Sequence, residues 1–375
     1  MKLSISRETL FKALRHMSAV VEKRSSIAIL GNVRLKAENN RLETTATDND
    51  LSVQGIAEAF VDQAGTTTVG ALKLFEIVSK IPEGVMVSLE LTDGGSRLAV
   101  VAGKAKFSLA TLGAEAFPDM TKVEDGVSFK LTATELKKAL DRVQFAASTD
   151  ETRAYLNGVY FHVIEEEVEG EKVKLLRTVA TDGHRLAKAD MTCPEGAADM
   201  PAVILPRKCV TELKKLADEA KDITLTVSEK KIQAEATDIT LTSKVIDATY
   251  PDYDRVIPKG NPTQLTVARR SLLQAVDRVS ILSHEKTRSV RFNAIENALA
   301  LSANNPDQEN ANEEVKAEYA GTPIEIGFNA KYLSDIGTQI SGDDIHFFLK
   351  DASSPVLVKD PADSTTTFVV MPMRV

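Results

Sequence analysis

The sequence predicts an α+β chain of three similar units, each with two helices on an antiparallel sheet. Three observations predict it. A short strand running into a helix opens each third of the chain, a polar turn ends a strand at the matching place in each third, and related segments close each third. The seams fall near residues 125 and 254, so the units are 1–125, 126–254 and 255–375.

The opening strands are Leu3-Ser4-Ile5, Leu131-Thr132-Ala133 and Leu265-Thr266-Val267. The helices that follow span 7–20, 133–144 and 267–280, with apolar residues such as Leu10, Leu14 and Met17, or Leu136, Leu140 and Val143, at helical spacing. A basic residue comes next in each copy: Arg24, Arg153, and Lys286 or Arg288. Two strands follow, the second ending in Thr47-Asp48-Asn49, Thr181-Asp182-Gly183 or Ala303-Asn304-Asn305. Second helices are expected over 71–81, 206–220 and 329–340, followed by alternating strands such as Ile223-Thr224-Leu225-Thr226-Val227. The closing segments are Phe117-Pro118-Asp119, Tyr250-Pro251-Asp252 and Met371-Pro372-Met373.

A net charge of −8 argues against contact with phosphates if it is spread evenly. It is not. The six expected helices hold 16 Lys and Arg against 9 Asp and Glu, and the rest of the chain holds 30 against 45. Lys and Arg are good helix formers, which explains part of the bias. Glu forms helices as well and is used less there. Helices sharing one face would make that face positive on an acidic body. Such a face holds phosphates without reading bases. With no Trp and 5% aromatics, no helix reads as a platform for stacked single-stranded bases.

Catalytic patterns are missing. There is no Gly-x-x-x-x-Gly-Lys loop for nucleotide phosphates, no Gly-x-Ser-x-Gly elbow and no Cys/His cluster with zinc spacing. Neither a metal nor another cofactor is expected, and no catalytic residue is assigned. Asp182 and His184 are the nearest approach to an acid–base pair. The matching turns contain Asp48-Asn49-Asp50 and Asn304-Asn305, so a turn held by local side-chain hydrogen bonds is the better reading. Two cysteines, no long apolar run and no apolar core after Met1 fit a protein of the reducing cytoplasm.

Taken in order, Ile29-Leu30-Gly31-Asn32, Phe117-Pro118-Asp119, Tyr155-Leu156-Asn157-Gly158, Ala180 to Leu186, Pro251-Asp252-Tyr253, Ala303-Asn304-Asn305-Pro306 and Val370 to Val375 are specific. Along its whole length the chain resembles the beta sliding clamps of bacterial DNA polymerase III. The resemblance implies a non-catalytic processivity factor: two three-domain subunits joined head to tail in a closed ring, helices lining the hole, duplex DNA passing through without sequence preference. Two residues depart from the common family pattern: Val375 ends the chain where Leu is frequent, and Ala154 precedes Tyr155 where some members carry two aromatics.

The resemblance also implies three groups of site residues. A groove takes short peptides of the replicative polymerase, the clamp loader and other clamp-binding proteins. By motif it comprises Leu156, Thr181, Gly183, His184, Arg185, Leu186, Pro251, Arg255 and Val256, with the tail residues Val370, Met371, Pro372, Met373 and Arg374. Its Leu, Val, Met and Pro side chains suit Leu or Phe anchors, and Arg185 and Arg255 are expected at the rim. The DNA-facing set is Arg24, Lys137, Lys138, Arg142, Arg153, Tyr155, Lys208, Lys214, Arg269, Arg270 and Arg278. The subunit seam would join Phe107, Ile281 and Leu282, with Lys104 and Lys106 facing Glu309, Glu313 and Glu314. Two rivals stay open: a protein-interaction scaffold that never surrounds DNA, and an enzyme using Asp182 and His184.

Overall fold

The computed structural model describes residues 1–22, 26–168 and 170–374. Its six α-helices are α1 (Arg7–Val20), α2 (Ala71–Lys80), α3 (Ala133–Gln144), α4 (Arg207–Glu219), α5 (Arg269–Ser280) and α6 (Ala330–Gly337). Two expected boundaries move inward by more than one residue. Residues 267 and 268 stay in the strand that pairs with Asp344–Leu349, and α6 stops at Gly337, with Thr338 and Gln339 turning back on its last carbonyls.

The ends of these helices follow from local chemistry. Ser6 caps α1, its hydroxyl accepting from Thr9 N–H at 3.1 Å. Thr132 and Glu135 form a reciprocal box at the start of α3: Glu135 N–H donates to the Thr132 hydroxyl at 3.2 Å, and Thr132 N–H donates to the Glu135 carboxylate at 3.1 Å. Asn329 caps α6. Arg7 closes the other end of α2, donating to the carbonyls of Val78, Ser79 and Ile81 at 3.1–3.2 Å while its guanidinium lies over Phe11. Arg269 stands at the matching place in the third repeat and donates to Ile340 O, three residues past the end of α6, at 2.7 Å.

The chain forms two compact units. The first holds 1–137, 194–201 and 208–245; the second holds 138–193, 202–207 and 246–375. Strands of the second repeat are therefore shared between them. In the first unit a 13-stranded sheet runs from Val127–Thr132 at one edge to Phe60–Gln63 at the other. It passes from the second repeat into the first where Ile239–Lys244 pairs antiparallel with Leu51–Glu58, Leu241 opposite Val53. Helix α1 buries Leu10, Leu14, Met17 and Val20 in its core.

The second unit has a 12-stranded sheet with edges at Val203–Pro206 and Ile324–Asn329. Here the join is Arg185–Thr192 against Asp363–Val370, Leu186 opposite Val369. Helix α5 buries Leu272, Ala275, Val276 and Val279. Helices α5 and α6 approach so closely that a Cβ at Gly337 would lie 2.5 Å from Leu273 Cδ2, so a larger residue there must displace the Leu273 side chain.

Candidate functional site

The Thr181–Leu186 turn joins two strands, and its own side chains hold it. The Thr181 hydroxyl accepts from Gly183 N–H at 3.1 Å and donates to Arg185 O at 2.6 Å. The Asp182 carboxylate accepts from His184 N–H and Arg185 N–H at 2.9 and 3.0 Å. The first repeat has the same device. Thr47 accepts from Asn49 N–H and donates to Leu51 O, and Asp48 accepts from Asp50 N–H and Leu51 N–H. Gly183 and Asn49 occupy the equivalent position with φ of +88° and +79°. Asp182 is thus occupied as a turn former.

Arg185 departs from the rim position expected for it. Its side chain is 7% exposed. It pairs with Asp182 at 3.1 Å and Asp335 at 2.5 Å and donates to Phe145 O at 2.6 Å. The guanidinium sits 5.1 Å from the Phe145 ring centre and 4.5 Å from that of Tyr332. With every nitrogen engaged and two rings beside it, the buried guanidinium supports the turn from within instead of standing at a rim.

The tail meets the turn directly. Val370 lies opposite Arg185 in the sheet, Met371 N–H donates to His184 O at 2.8 Å, and Met373 N–H donates to Gly327 O at 2.8 Å. Leu156, Leu186, Val369 and Tyr253 belong to one buried cluster, which forms the floor. Met371, Pro372 and Met373 are half-buried, while Gly183, His184, Pro251, Arg255, Val256 and Arg374 are exposed. Arg255 holds only Asp252, at 2.7 Å. An apolar floor, a methionine lip and an exposed polar rim suit a short peptide with apolar anchors.

Sequence reasoning placed a helix over 329–340 but assigned neither it nor the buried tyrosines to the site. His184 stacks on Tyr332, and Asp335, one turn further along α6, holds Arg185. Burial pushes the Tyr332 hydroxyl above its ordinary pKa, with the Asp182 charge adding to the effect. Nothing in the helical spacing of Tyr332 and Asp335 announces a partner 150 residues upstream.

Many of the cations expected at a DNA face are already engaged inside the chain. Lys138 and Arg142 both meet Asp363, at 3.1 and 3.4 Å. Lys208 donates to Val20 O at 2.6 Å and pairs with Asp48. Lys137 pairs with Asp218, Arg278 with Glu313, and Arg269 donates to Ile340 O. Arg153 binds Asp150 at 3.1 Å and Asp182 O at 2.9 Å. Arg270 and Tyr155 are exposed, and Lys214 is half-buried. Arg24, like Val375, lies outside the described residues.

The two strands expected at the seam each keep part of one side unpaired among the described residues. Ala105–Leu112 pairs along its length with Arg97–Ala102, and on its other side only Thr111 and Leu112 are paired. Asn310–Tyr319 pairs through 310–316 with Ala298–Asn304, and on its other side only 317–319 are paired. Lys104, Lys106 and Phe107 lie at the first edge, and Glu309, Glu313 and Glu314 at the second. Ile281 is 77% exposed just beyond α5, and Leu282 is half-buried.

Models of the DNA polymerase III beta subunit match the whole chain in three parts: the N-terminal domain over 1–121, the central domain over 130–252 and the C-terminal domain over 254–374. The beta sliding clamp of Caulobacter vibrioides is 45% identical, with both chains covered in full. The crystal structure of the sliding clamp from Bartonella birtlesii bound to griselimycin matches with a TM-score of 0.96 at 42% identity, covering 100% of each chain. That of the Pseudomonas aeruginosa clamp bound to griselimycin matches with a TM-score of 0.92 at 35% identity, again over both whole chains.

Proposed function

The chain belongs to the beta-subunit family of bacterial DNA polymerase III, the sliding clamps, and on that premise we propose that two copies close head to tail into a ring around duplex DNA and tether the polymerase to its template. The observation that carries the reading is the pair of open strand edges. The one at Ala105–Leu112 is basic and the one at Asn310–Tyr319 is acidic. Adding one edge to the other continues a sheet from copy to copy, and unlike surfaces of this kind close a ring when the rotation fits. Phe107, Ile281 and Leu282 supply the apolar centre of that seam.

The helices supply diffuse positive charge, with Arg270 and Tyr155 among the exposed contributors. Contact with phosphates alone grips no base, so the ring slides. The groove formed by the Thr181–Leu186 turn, the Pro251–Val256 segment and the Met371–Met373 tail captures short peptides of the polymerase, the loader and other DNA-processing proteins. Capture raises their effective concentration at the template. The protein itself does no chemistry, works in the cytoplasm on chromosomal DNA, and depends on a separate ATP-driven loader.

The test is retention on DNA. The protein is loaded onto nicked circular plasmid with a matching loader, half the sample is linearised, and both halves are passed through gel filtration. Co-elution with circles and loss from linear molecules is the expected outcome. Equal loss from both overturns the ring and favours the scaffold that never surrounds DNA.

A further inference from the structure

On the sheet of the second unit, His162, Arg177 and Asp190 stand directly opposite one another on three adjacent strands, Gly158–Val168, Glu171–Thr181 and Arg185–Thr192. Arg177 is 3% exposed and binds Asp190 through Nε at 2.5 Å and Nη2 at 2.9 Å, and it also pairs with Glu166. The Tyr253 hydroxyl rests on this row, 2.9 Å from His162 Nε2 and 3.4 Å from Arg177 Nη1. His162 stacks on Tyr160 with ring centres 4.1 Å apart, and Tyr160 stacks on Tyr250 at 4.6 Å. Tyr253 meets all three rings edge-on. Tyr250 and Tyr253 bracket Pro251, and Tyr253 opens the short 3-10 turn that carries Arg255 and Val256. The segment that forms one wall of the groove is therefore fastened to the sheet by two tyrosines.

We propose that His162 is a positioning residue for the groove: as a neutral imidazole bonded to the Tyr253 hydroxyl, it fixes the Pro251–Val256 wall where a peptide anchor must pack. The inference rests on the peptide-groove reading above.

The surroundings demand neutrality. Burial disfavours a second proton, and the Arg177 guanidinium repels one; Asp190 opposes them more weakly, so the imidazole falls from 6.5 to about 4. Two other charged groups are bonded to this row: Glu166 holds Arg177, and Lys188 holds Asp190 at 3.3 Å; Asp254, beside Tyr253, faces its hydroxyl. Tyr160, Tyr250 and Tyr253 all lie above their ordinary pKa because of burial, and they stay neutral. Arg177 donates to the Tyr253 oxygen, His162 Nε2 shares a hydrogen bond with the same hydroxyl, and His162 Nδ1 is buried with no partner among the described residues. Protonating the imidazole makes both ring nitrogens donors, one of them with nothing to accept it, and sets a cation beside Arg177. A wall that has let go of the sheet frees the ring to titrate near 6.5, so acid favours the detached wall as pH falls from 6.5 towards 4.

The experiment measures the Kd of a short fluorescein-labelled peptide with Leu and Phe anchors by anisotropy, from pH 8 to pH 5, with folding followed by circular dichroism. Wild type is expected to bind with constant Kd down to about pH 6.5 and to weaken below it. His162→Leu is expected to weaken binding about tenfold at pH 7.5, the scale of one lost hydrogen bond, and to show a flat pH profile. His162→Gln, which keeps a neutral polar group, recovers most of the affinity and is also flat. Tyr253→Phe deletes the hydroxyl alone. It should match His162→Leu, and the double variant should lose no more than either single one. A His162→Leu protein that folds and binds within twofold of wild type overturns the proposal, as do additive losses in the double variant. If wild type itself binds no peptide at pH 7.5, the groove reading has failed instead.

Discussion

Arg278 on α5 and Glu313 on the open-edged strand Asn310–Tyr319 form a two-point ion pair, Arg278 Nε donating to Oε2 at 2.9 Å and Nη2 to Oε1. The hydrogen bonds from Arg278 hold the Glu313 carboxyl below its ordinary pKa, and Glu313 raises that of the guanidinium in return. A cation matched in this way contributes little to a phosphate face. Arg278→Ala is expected to leave the slope of log K against log salt for linear duplex unchanged. Arg270→Ala, on the same helix and exposed, is expected to lower it by about 0.9, one released counterion. Fluorescence titrations across a salt series separate the two, and a drop of that size for Arg278→Ala would show that the guanidinium leaves Glu313 for DNA.

Arg185 supports the groove from inside, so replacing it acts on the fold as well as on binding. Arg185→Ala removes the guanidinium from Asp182, which keeps its two turn N–H donors, and from Asp335, which keeps Lys331 at 3.0 Å, a loss of about 1–3 kcal/mol. Lys is a poor substitute, since an ammonium neither forks between two carboxylates nor offers a planar face to the Phe145 and Tyr332 rings. Urea unfolding should show both variants destabilised, with peptide binding lost in both. A stable Arg185→Lys with unchanged binding would place the guanidinium outside the groove's support.

At Gly183 the backbone has φ of +88°, and a Cβ would lie 3.3 Å from Arg153 Nη1. Gly183→Ala should cost about 1–2 kcal/mol and weaken peptide binding, because His184 rides on the same turn. Gly183→Asn should cost less, since the first repeat holds Asn49 in that conformation at the equivalent place. Paired melting curves for the two variants check the order; Asn costing more than Ala would mean that the Arg153 contact, not the dihedral angle, sets the requirement.

Local patterns were legible from the residues, and long-range partners were not. Six helices came from apolar spacing with ends shifted by two or three residues at most, because capping by Ser6, Thr132 and Asn329 is local chemistry. The turn at Thr181 was readable from its copy at Thr47. The site's support was hidden for the opposite reason. Phe145, just after α3, and Tyr332 and Asp335, on α6, converge on the Arg185 turn from far along the chain, and His162 meets Tyr253 across 91 positions. Helix charge read as a single positive face was partly misleading, since a count of cations does not reveal that Asp363 takes two of them.

Acid should loosen the third repeat at Asp360. Burial opposes ionisation of this carboxyl, yet donation from the Ser341 hydroxyl and the backbone N–H groups of Ser341, Ala362 and Gly342 holds its pKa below the ordinary 3.8. A carboxylate depressed on folding stabilises the native state at any pH above its unfolded value and loses that contribution as pH falls through its folded value. Stability should therefore be level through neutral pH and decline below about 4. Asp360→Asn places an amide donor against N–H groups, costing about 1–3 kcal/mol at pH 7 and less at pH 3. Urea midpoints at both values decide it. A loss that is equal at the two would mean that the charge is irrelevant to the turn.

The proposed seam concentrates apolar contact on few residues. Ile281 is 77% exposed and Phe107 37%, and neither exposure is repaid within one chain. Burying Ile281 and Leu282 against Phe107 of a second copy is worth about 1.5–3 kcal/mol for each side chain, whereas the Lys104, Lys106 and glutamate charges at the edges contribute less in salt. The double variant Ile281→Ala, Leu282→Ala should therefore be monomeric in sedimentation at low micromolar concentration while keeping its helical signal. Raising salt on the wild type should weaken the dimer only modestly. The reverse pattern, a dimer that survives the alanines and dissolves in salt, would assign the seam to its charges and remove the apolar centre from the proposal.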